Sequence, residues 1–433
     1  MTRQIDPIFT IRQDRILIRQ NAHSKRFLLA RIVAPTAVRE RTRPPVNLAI
    51  VVDRSGSMSG DKLRIAKAAV EEAIGRLGPD DRFSIVAYDD VVDVVIASTA
   101  GAGESRRAAV DRLRTIEARG STNLGEGWLR GCEQVAAHLA DHGINRCLLL
   151  TDGLANVGIT DPDDLARHAA ELRVRGVSTS TFGVGNDFDE RLLQALADAG
   201  GGHFYYIADA PRIADAITSE VGETLEVVAR DVALELTARD DIRIEPISPY
   251  RASSHGNRTT VALGDLVSEQ AIEVVLRLSF PYGDVGRDTG AIVALTDRDG
   301  TFATGGSGGP GLAEPVRLTW TYADDRANDA QPRDRVVDRA VARNFAAQAR
   351  QEAVRLNRLG DYQAARRILD ATGARIRAYA GDDPELQALV GSLAQERDWF
   401  SMPMSEPLLK QTHYASANLL RSRDPQGHSV RRA

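Results

Sequence analysis

The 433-residue sequence predicts an α/β fold: a doubly wound, mostly parallel six-stranded sheet inserted in an all-β sandwich, with a helical region at the C-terminal end. Three observations carry this. From residue 46 to about 225, apolar strand-like runs alternate with helical stripes. On both sides of that stretch, strands follow one another without helices. From Arg333 onward the apolar period is helical.

In residues 1–45 the spacing predicts two strands, Ile8–Arg19 and Arg26–Pro35, from alternation such as Phe9, Ile11 and Ile16, Ile18. Val46–Val52 is an apolar run interrupted by Asn47, as expected of a strand covered on both faces. Gly60–Leu77 places Leu63, Ala66, Val70, Ala73, Ile74 and Leu77 on one helical stripe. Arg82–Tyr88 and Val91–Ala97 read as a hairpin across Asp89-Asp90. Helices follow at 104–117 and 125–141, then strand Cys147–Thr151, helix 161–175, strand Val177–Gly183, helix 189–199, strand Gly202–Ile207 and helix 209–224. Residues 226–325 give strands Val227–Thr237, Ile242–Ile247, Thr259–Leu263, Ala271–Phe280, Ala291–Thr296 and Val316–Tyr322, which complete the sandwich begun in 1–45. The segment Gly305–Gly311 reads as a flexible loop rather than a phosphate cradle, because no Lys-Ser/Thr follows. Residues 333–400 give helices Val336–Leu359, Tyr362–Tyr379 and Glu385–Phe400, and 401–433 is expected to be an irregular tail.

Composition narrows the function classes. The chain is 43% hydrophobic and 27% charged, a globular balance that excludes wholesale disorder. A net charge of −5 argues against nucleic acid as partner. Residues 1–45 carry ten basic and three acidic groups, a bias that suits the wet face of a sheet. Two cysteines cannot build a disulfide framework. No apolar run is long enough to span a membrane, and the first residues lack the apolar core of a signal peptide. A cytoplasmic location is the expectation.

The chemistry-bearing stretch is Asp53-Arg54-Ser55-Gly56-Ser57-Met58-Ser59-Gly60, placed where the first buried strand ends and a helix begins. A carboxylate and two hydroxyls at alternate positions can turn three oxygens toward one point. Gly120-Ser121-Thr122-Asn123 and Thr151-Asp152-Gly153 reach the same edge of the sheet. Oxygen donors without clustered His or Cys suit a hard cation, Mg²⁺ or Mn²⁺ before Ca²⁺.

The Asp-x-Ser-x-Ser run at 53–57, with Thr122 and Asp152, resembles the metal-ion-dependent adhesion site of von Willebrand factor A domains. The resemblance covers about 46–225 and extends to Leu150–Gly158, Gly183–Glu190 and Ala199–Ile207. It implies that Ser55 and Ser57 bind the cation directly, that Asp53 and Asp152 act mainly through bound water, and that Thr122 does either. It also implies strand order 3-2-1-4-5-6, with Asp53 and Asp152 on adjacent strands at the topological switch point. The function implied is Mg²⁺-dependent protein–protein interaction without catalysis, with Mn²⁺ or Ca²⁺ as substitutes and a protein ligand offering an Asp or Glu carboxylate. The layout is also similar to bacterial proteins related to inter-alpha-trypsin inhibitor heavy chains and calcium-activated chloride channel regulators. A second reading is a scaffold of a bacterial stress, defence or AAA-ATPase-linked system that works through its helical C-terminus.

Other readings are weaker. Ser57 or Ser59 could cap the helix at 60–77. Ser59-Gly-Asp-Lys62 matches Ser-x-x-Lys, but the companion motifs of penicillin-binding enzymes are absent. A phosphoaspartyl role for Asp53 needs an acid two residues on, where Ser55 stands. His138 and His142 are four apart, but no acid follows His138. Cys132 and Cys147 read as core thiols, Gly183-Val-Gly185 lacks the third glycine of a dinucleotide loop, and Asp161 and Asp189 read as helix starts. A second cation near Asp161–Asp164 is the remaining metal candidate.

Overall fold

The computed structural model describes residues 8–37, 43–239, 241–302 and 313–432. The glycine loop at 305–311 lies outside them, as does part of the basic N-terminal segment. The chain forms two compact units: residues 38–227, and residues 1–37 together with 228–433.

Strands β1 (Phe9–Gln13), β2 (Leu17–Arg19) and β3 (Ser24–Val33) precede the inserted unit. That unit contains β4 (Val46–Asp53), α1 (Asp61–Gly75), β5 (Arg82–Tyr88), β6 (Val92–Ala100), α2 (Gly103–Arg114), α3 (Leu124–Ala136), β7 (Ile144–Thr151), α4 (Pro162–Val174), β8 (Ser178–Val184), α5 (Glu190–Gly200), β9 (Gly201–Ile207) and α6 (Arg212–Leu225). Its sheet has the order β6-β5-β4-β7-β8-β9, and all pairs are parallel except β5–β6. This is the expected 3-2-1-4-5-6 order. Every residue of β4 and β7 is buried, which is why Leu48–Val52 and Cys147–Leu150 read as apolar runs, while Asn47, Asn145 and Arg146 are buried polar exceptions at their starts. Between them the chain direction of the crossovers reverses, so the carboxyl ends of β4 and β7 open side by side.

α3 lies on β4, β5 and β7. Trp128 anchors it, fully buried, with Nε1 donating to Thr179 Oγ1 at 3.1 Å. The helix ends at Ala136, earlier than the sequence suggests, so His138 and His142 lie beyond it. The carboxylates of Asp161 and Asp189 cap α4 and α5, as their sequence context predicts.

The other unit has two sheets, β1-β3-β14-β11 and β12-β13-β10-β15-β16-β2, formed with β10 (Val227–Ala238), β11 (Arg243–Pro246), β12 (Arg251–His255), β13 (Arg258–Val267), β14 (Ala271–Phe280), β15 (Asp288–Thr296) and β16 (Val316–Ala323). Phe9, Ile18, Leu28, Val232, Leu236, Leu276 and Trp320 share the core of this sandwich. Two differences from the sequence reading have a clear origin. The expected strand Ile8–Arg19 is two strands because β1 joins one sheet and β2 the other. The chain turns at Asp14, whose buried carboxylate accepts from the Phe27 amide at 2.9 Å. β12 falls between the predicted strands Ile242–Ile247 and Thr259–Leu263, where the sequence reading places no strand. It is an edge strand exposed at all five residues, so it has no apolar alternation to read.

Helices α7 (Asp325–Ala330), α8 (Arg335–Arg358), α9 (Tyr362–Ala380), α10 (Pro384–Trp399) and α11 (Glu406–Leu420) complete the unit. Val337, Ala340 and Val341 of α8 pack with Leu29 and Val275 of the four-stranded sheet, so the helices and the sandwich form one unit rather than separate domains. The tail from 401 is also not irregular. α11 buries Leu409, Lys410, His413, Tyr414, Ser416, Ala417, Asn418 and Leu420, and the four polar members of that set disguise its helical period. The chain then returns to the sandwich, where the Ala271 amide donates to Val430 O at 2.8 Å.

Candidate metal centre

β4 delivers Asp53 at its last residue, and a 3₁₀ turn over Gly56–Met58 follows, with Met58 buried beneath it. This turn folds the alternating oxygens inward. The Ser55 amide donates to Asp53 Oδ1 at 2.8 Å, and the Ser55 and Ser57 hydroxyls lie 3.1 Å apart. Ser57 Oγ donates to Asp152 Oδ1 at 2.7 Å. Neither Ser57 nor Ser59 caps α1, whose first residue follows Gly60 without a side-chain cap. The capping explanation of the motif is thereby removed.

Thr122 enters from the loop before α3. The Gly56 amide donates to Gly120 O at 3.2 Å and the Arg119 amide to Arg54 O at 2.8 Å, which ties this loop to the motif turn. The Thr122 amide donates to Asn156 Oδ1 at 3.1 Å, and the Asn156 amide returns to Thr122 O at 3.3 Å. Gly153 sits between the two groups of candidate oxygens: a Cβ there would lie 3.4 Å from Thr122 Oγ1 and 3.8 Å from Ser57 Oγ. The structure therefore brings together Asp53, Ser55, Ser57, Thr122 and Asp152 at one edge of the sheet.

Asp53 and Asp152 are fully buried, Ser55 and Thr122 nearly so, and Ser57 is exposed. Burial pushes the Asp53 carboxyl up to about 6, against the opposing hydrogen bonds from Thr151 and Ser55. Its second oxygen accepts from Thr151 Oγ1 at 2.6 Å. Asp152 differs, because Lys62 Nζ lies 2.5 Å from its Oδ2. Arg54, inside the motif, turns away from the site: its Nε donates to Asp89 Oδ2 at 2.9 Å and its NH2 to Asp93 Oδ2 at 2.5 Å. Burial disfavours the Asp89 charge, but Arg119, the Val91 amide and Arg54 outweigh that and hold Asp89 below the ordinary carboxylate range. Beneath the site, burial drives the Tyr88 phenol well above its usual value.

The donor set fits a hard divalent cation. Five oxygens converge, two of them from buried carboxylates, and the Asp53 carboxylate has an amide and a hydroxyl as partners where a positive charge would lower its cost. Lys62, Thr151 and Asn156 were missed from sequence. Thr151 was visible as the hydroxyl that ends an apolar strand beside Asp152, and Lys62 as a cation in a helix first turn, where the dipole disfavours one.

The competing candidates dissolve. Asp161 Oδ1 accepts from the Asp163 and Asp164 amides as an ordinary cap. Cys132 and Cys147 are buried free thiols. His203, Glu220 and Glu223 gather within 4.8 Å, but Glu220 already accepts from Arg146 at 2.8 Å, Ser180 at 2.6 Å and Tyr205 at 2.7 Å. A carboxylate so paired is a buried structural network, and a metal there would have to face Arg146.

Comparison with known proteins agrees with the fold of the inserted unit. The family model of the von Willebrand factor type A domain matches residues 47–219. The chain is 32% identical over 250 residues to protein YfbK of Escherichia coli (strain K12), covering 54% of this chain and 42% of that one. It is 25% identical over 236 residues to inter-alpha-trypsin inhibitor heavy chain 4 of Mus musculus, covering 53% of this chain and 25% of the relative. The chain thus spans less than half of either relative's length. Among solved structures, a von Willebrand factor type A protein from Catenulispora acidiphila shares the fold over 98% of both chains, with TM-score 0.70 and 19% identity. The ArnB paralog VWA2 from Sulfolobus acidocaldarius matches 92% of this chain and 99% of its own, with TM-score 0.56 and 17% identity. Residues 47–219 of this chain are therefore a von Willebrand factor type A domain.

Proposed function

We propose that this protein is a non-catalytic, Mg²⁺-dependent protein-interaction module, with Mn²⁺ or Ca²⁺ able to substitute. Asp53, Ser55, Ser57, Thr122 and Asp152 would hold the ion, and the partner would be a protein that offers an Asp or Glu carboxylate. The observation that carries this reading is the pair of buried carboxylates linked through Ser55 and Ser57 at the switch point of the sheet, with the Ser57 side exposed. When bound, the dication supplies a coordination position that an external carboxylate oxygen can fill. The chain's own residues do the rest. Thr151 and the Ser55 amide fix the Asp53 carboxylate, and the Asn156 clasp fixes Thr122.

Features expected of a hydrolase are missing from the motif. Position 55 is a hydroxyl rather than an acid, and Lys62 pairs with Asp152 instead of reaching Ser59. Among the described residues, no helix is long and apolar enough to cross a membrane.

The test is recovery of binding proteins by the full chain in Mg²⁺ and in EDTA. Binding should be lost in EDTA and in Asp53→Ala, with cooperative unfolding retained. Equal recovery in EDTA sinks the reading. Recovery that is indifferent to Asp53 but lost on substituting exposed Trp399 and Met402 would favour the helical scaffold instead. Deleting the helices outright is a poor test, because α8 covers Leu29 and Val275.

A further inference from the structure

Lys62 is the second residue of α1, in the first turn, where the helix dipole works against a cation. Its ammonium is there for Asp152. Nζ lies 2.5 Å from Oδ2 of a carboxylate that is completely buried, while the lysine side chain keeps 30% of its surface exposed. The other buried carboxylate, Asp53, is met by an amide and a hydroxyl. The site therefore carries two acids and one resident cation. Gly185 lies against the same side chain: its backbone has φ +76°, and a Cβ there would come within 3.8 Å of Nζ. The lysine side chain is thus partly open to solvent and bordered by Gly185 rather than enclosed.

The choice of residue matters as much as its position. Of 55 basic residues in the chain, four are lysine (Lys25, Lys62, Lys67 and Lys410). Elsewhere buried acids are clamped by arginine, as in Arg43–Asp81, Arg54–Asp89, Arg333–Asp338 and Arg339–Asp383. A guanidinium grips both carboxylate oxygens in a planar fork, whereas an ammonium is a compact charge on a flexible stem that can leave one oxygen.

We propose that Lys62 is the built-in counter-cation of the metal site: it neutralises Asp152 in the ion-free protein, must be displaced from Oδ2 by an arriving dication, and so sets the metal affinity of the site. This rests on the metal-site reading above. Two like charges cannot share one carboxylate without cost, so the resident ammonium weakens dication binding. It also keeps Asp152 from standing as a buried, unpaired charge when no ion is present.

The experiment is Mn²⁺ titration of the full chain by calorimetry and electron paramagnetic resonance, for the parent, Lys62→Met and Lys62→Arg. Lys62→Met should bind Mn²⁺ roughly 10-fold tighter or better, and Lys62→Arg at least several-fold weaker. A Lys62→Met protein that binds Mn²⁺ no tighter than the parent overturns the proposal and leaves the metal site standing. Failure of all three proteins to bind Mn²⁺ overturns the site and the proposal together. Should Lys62→Met be unfolded without metal, the readout becomes refolding on adding Mn²⁺, followed by circular dichroism in Lys62→Met and Lys62→Gln. Refolding supports displacement, and its absence in both variants shows that Lys62 is structural and overturns the proposal.

Discussion

Asp53 is a buried acid whose ionised form costs the fold stability. Its carboxyl is pushed from 3.8 to about 6, with burial as the main cause, so the folded chain holds a proton that the unfolded chain gives up. Between pH ~4 and ~6 the unfolded state binds fewer protons than the folded one, and the Asp53 contribution to stability therefore falls as pH rises. Above that window the ionised group costs on the order of 3 kcal/mol. Asp53→Asn removes this cost, and the Thr151 hydroxyl can reverse its hydrogen bond to accept from the new amide. The variant should be more stable than the parent at pH 7.5 in EDTA. The difference between their urea midpoints should shrink toward zero as pH falls from 6 to 4, and a pH-independent difference would refute the argument. Thr151→Val tests the same group from the other side. It leaves a buried carboxylate oxygen without its donor and should lower stability by about 1–3 kcal/mol.

Element scale decides what the local sequence can and cannot announce. Gly125, Gly127 and Gly131 weaken α3 as an isolated helix, yet the helix packs because of them. A Cβ at Gly127 would stand 2.5 Å from Tyr88 Cγ, and one at Gly131 would stand 2.3 Å from Val51 Cγ2. Gly391 in the middle of α10 has nothing within 4 Å of its hypothetical Cβ. Alanine should therefore act with opposite signs at the two places. Gly391→Ala should gain up to ~1 kcal/mol of helix propensity. Gly127→Ala should lose about 1–3 kcal/mol or more to overpacking against a buried ring, and thermal unfolding of the two variants checks the contrast. The same distinction explains what was legible beforehand. β4, the Cys147–Thr151 part of β7 and the Asp53–Ser57 motif were readable because strands buried on both faces are mostly apolar and the spacing of the candidate oxygens is local, whereas the buried polar pair Asn145 and Arg146 hid the start of β7. β12 and α11 were not, because one has no buried face and the other buries Lys410 and His413. The five candidate oxygen donors could be named from sequence, because each closes a strand or lies in a loop at the same edge of the sheet. Lys62 and Asn156 could not be assigned a role, because each acts on a residue distant in the chain.

At the scale of the whole molecule, the chain order and the folding units disagree, and that has a measurable consequence. Residues 38–227 are continuous, whereas the other unit is assembled from 1–37 and 228–433. Within it β14 pairs with β3 over ten residues, from Ala271 with Val33 to Phe280 with Ser24, and β3 lies between β1 and β14. A fragment 228–433 would lose two of the four strands of that sheet and the edge strand β2 of the other and, with them, Phe9, Ile18, Leu28, Leu29 and Ile32, all of them buried. At about 1.5–3 kcal/mol for each such side chain, the loss is roughly 10 kcal/mol. That is comparable with the ~5–15 kcal/mol that separates a folded domain from its unfolded chain. The fragment 228–433 should therefore fail to unfold cooperatively, although it holds most of its unit's residues. A chain joining 1–37 to 228–433 through a flexible linker should recover a cooperative transition, because loop closure costs only a few tenths of a kcal/mol more as the linker lengthens. The fragment 38–227 should fold alone, since its sheet and the helices that cover it are contained in one stretch. Calorimetry of the three proteins distinguishes these outcomes. A cooperative transition in 228–433 alone would mean that the N-terminal strands decorate the sandwich rather than complete its core.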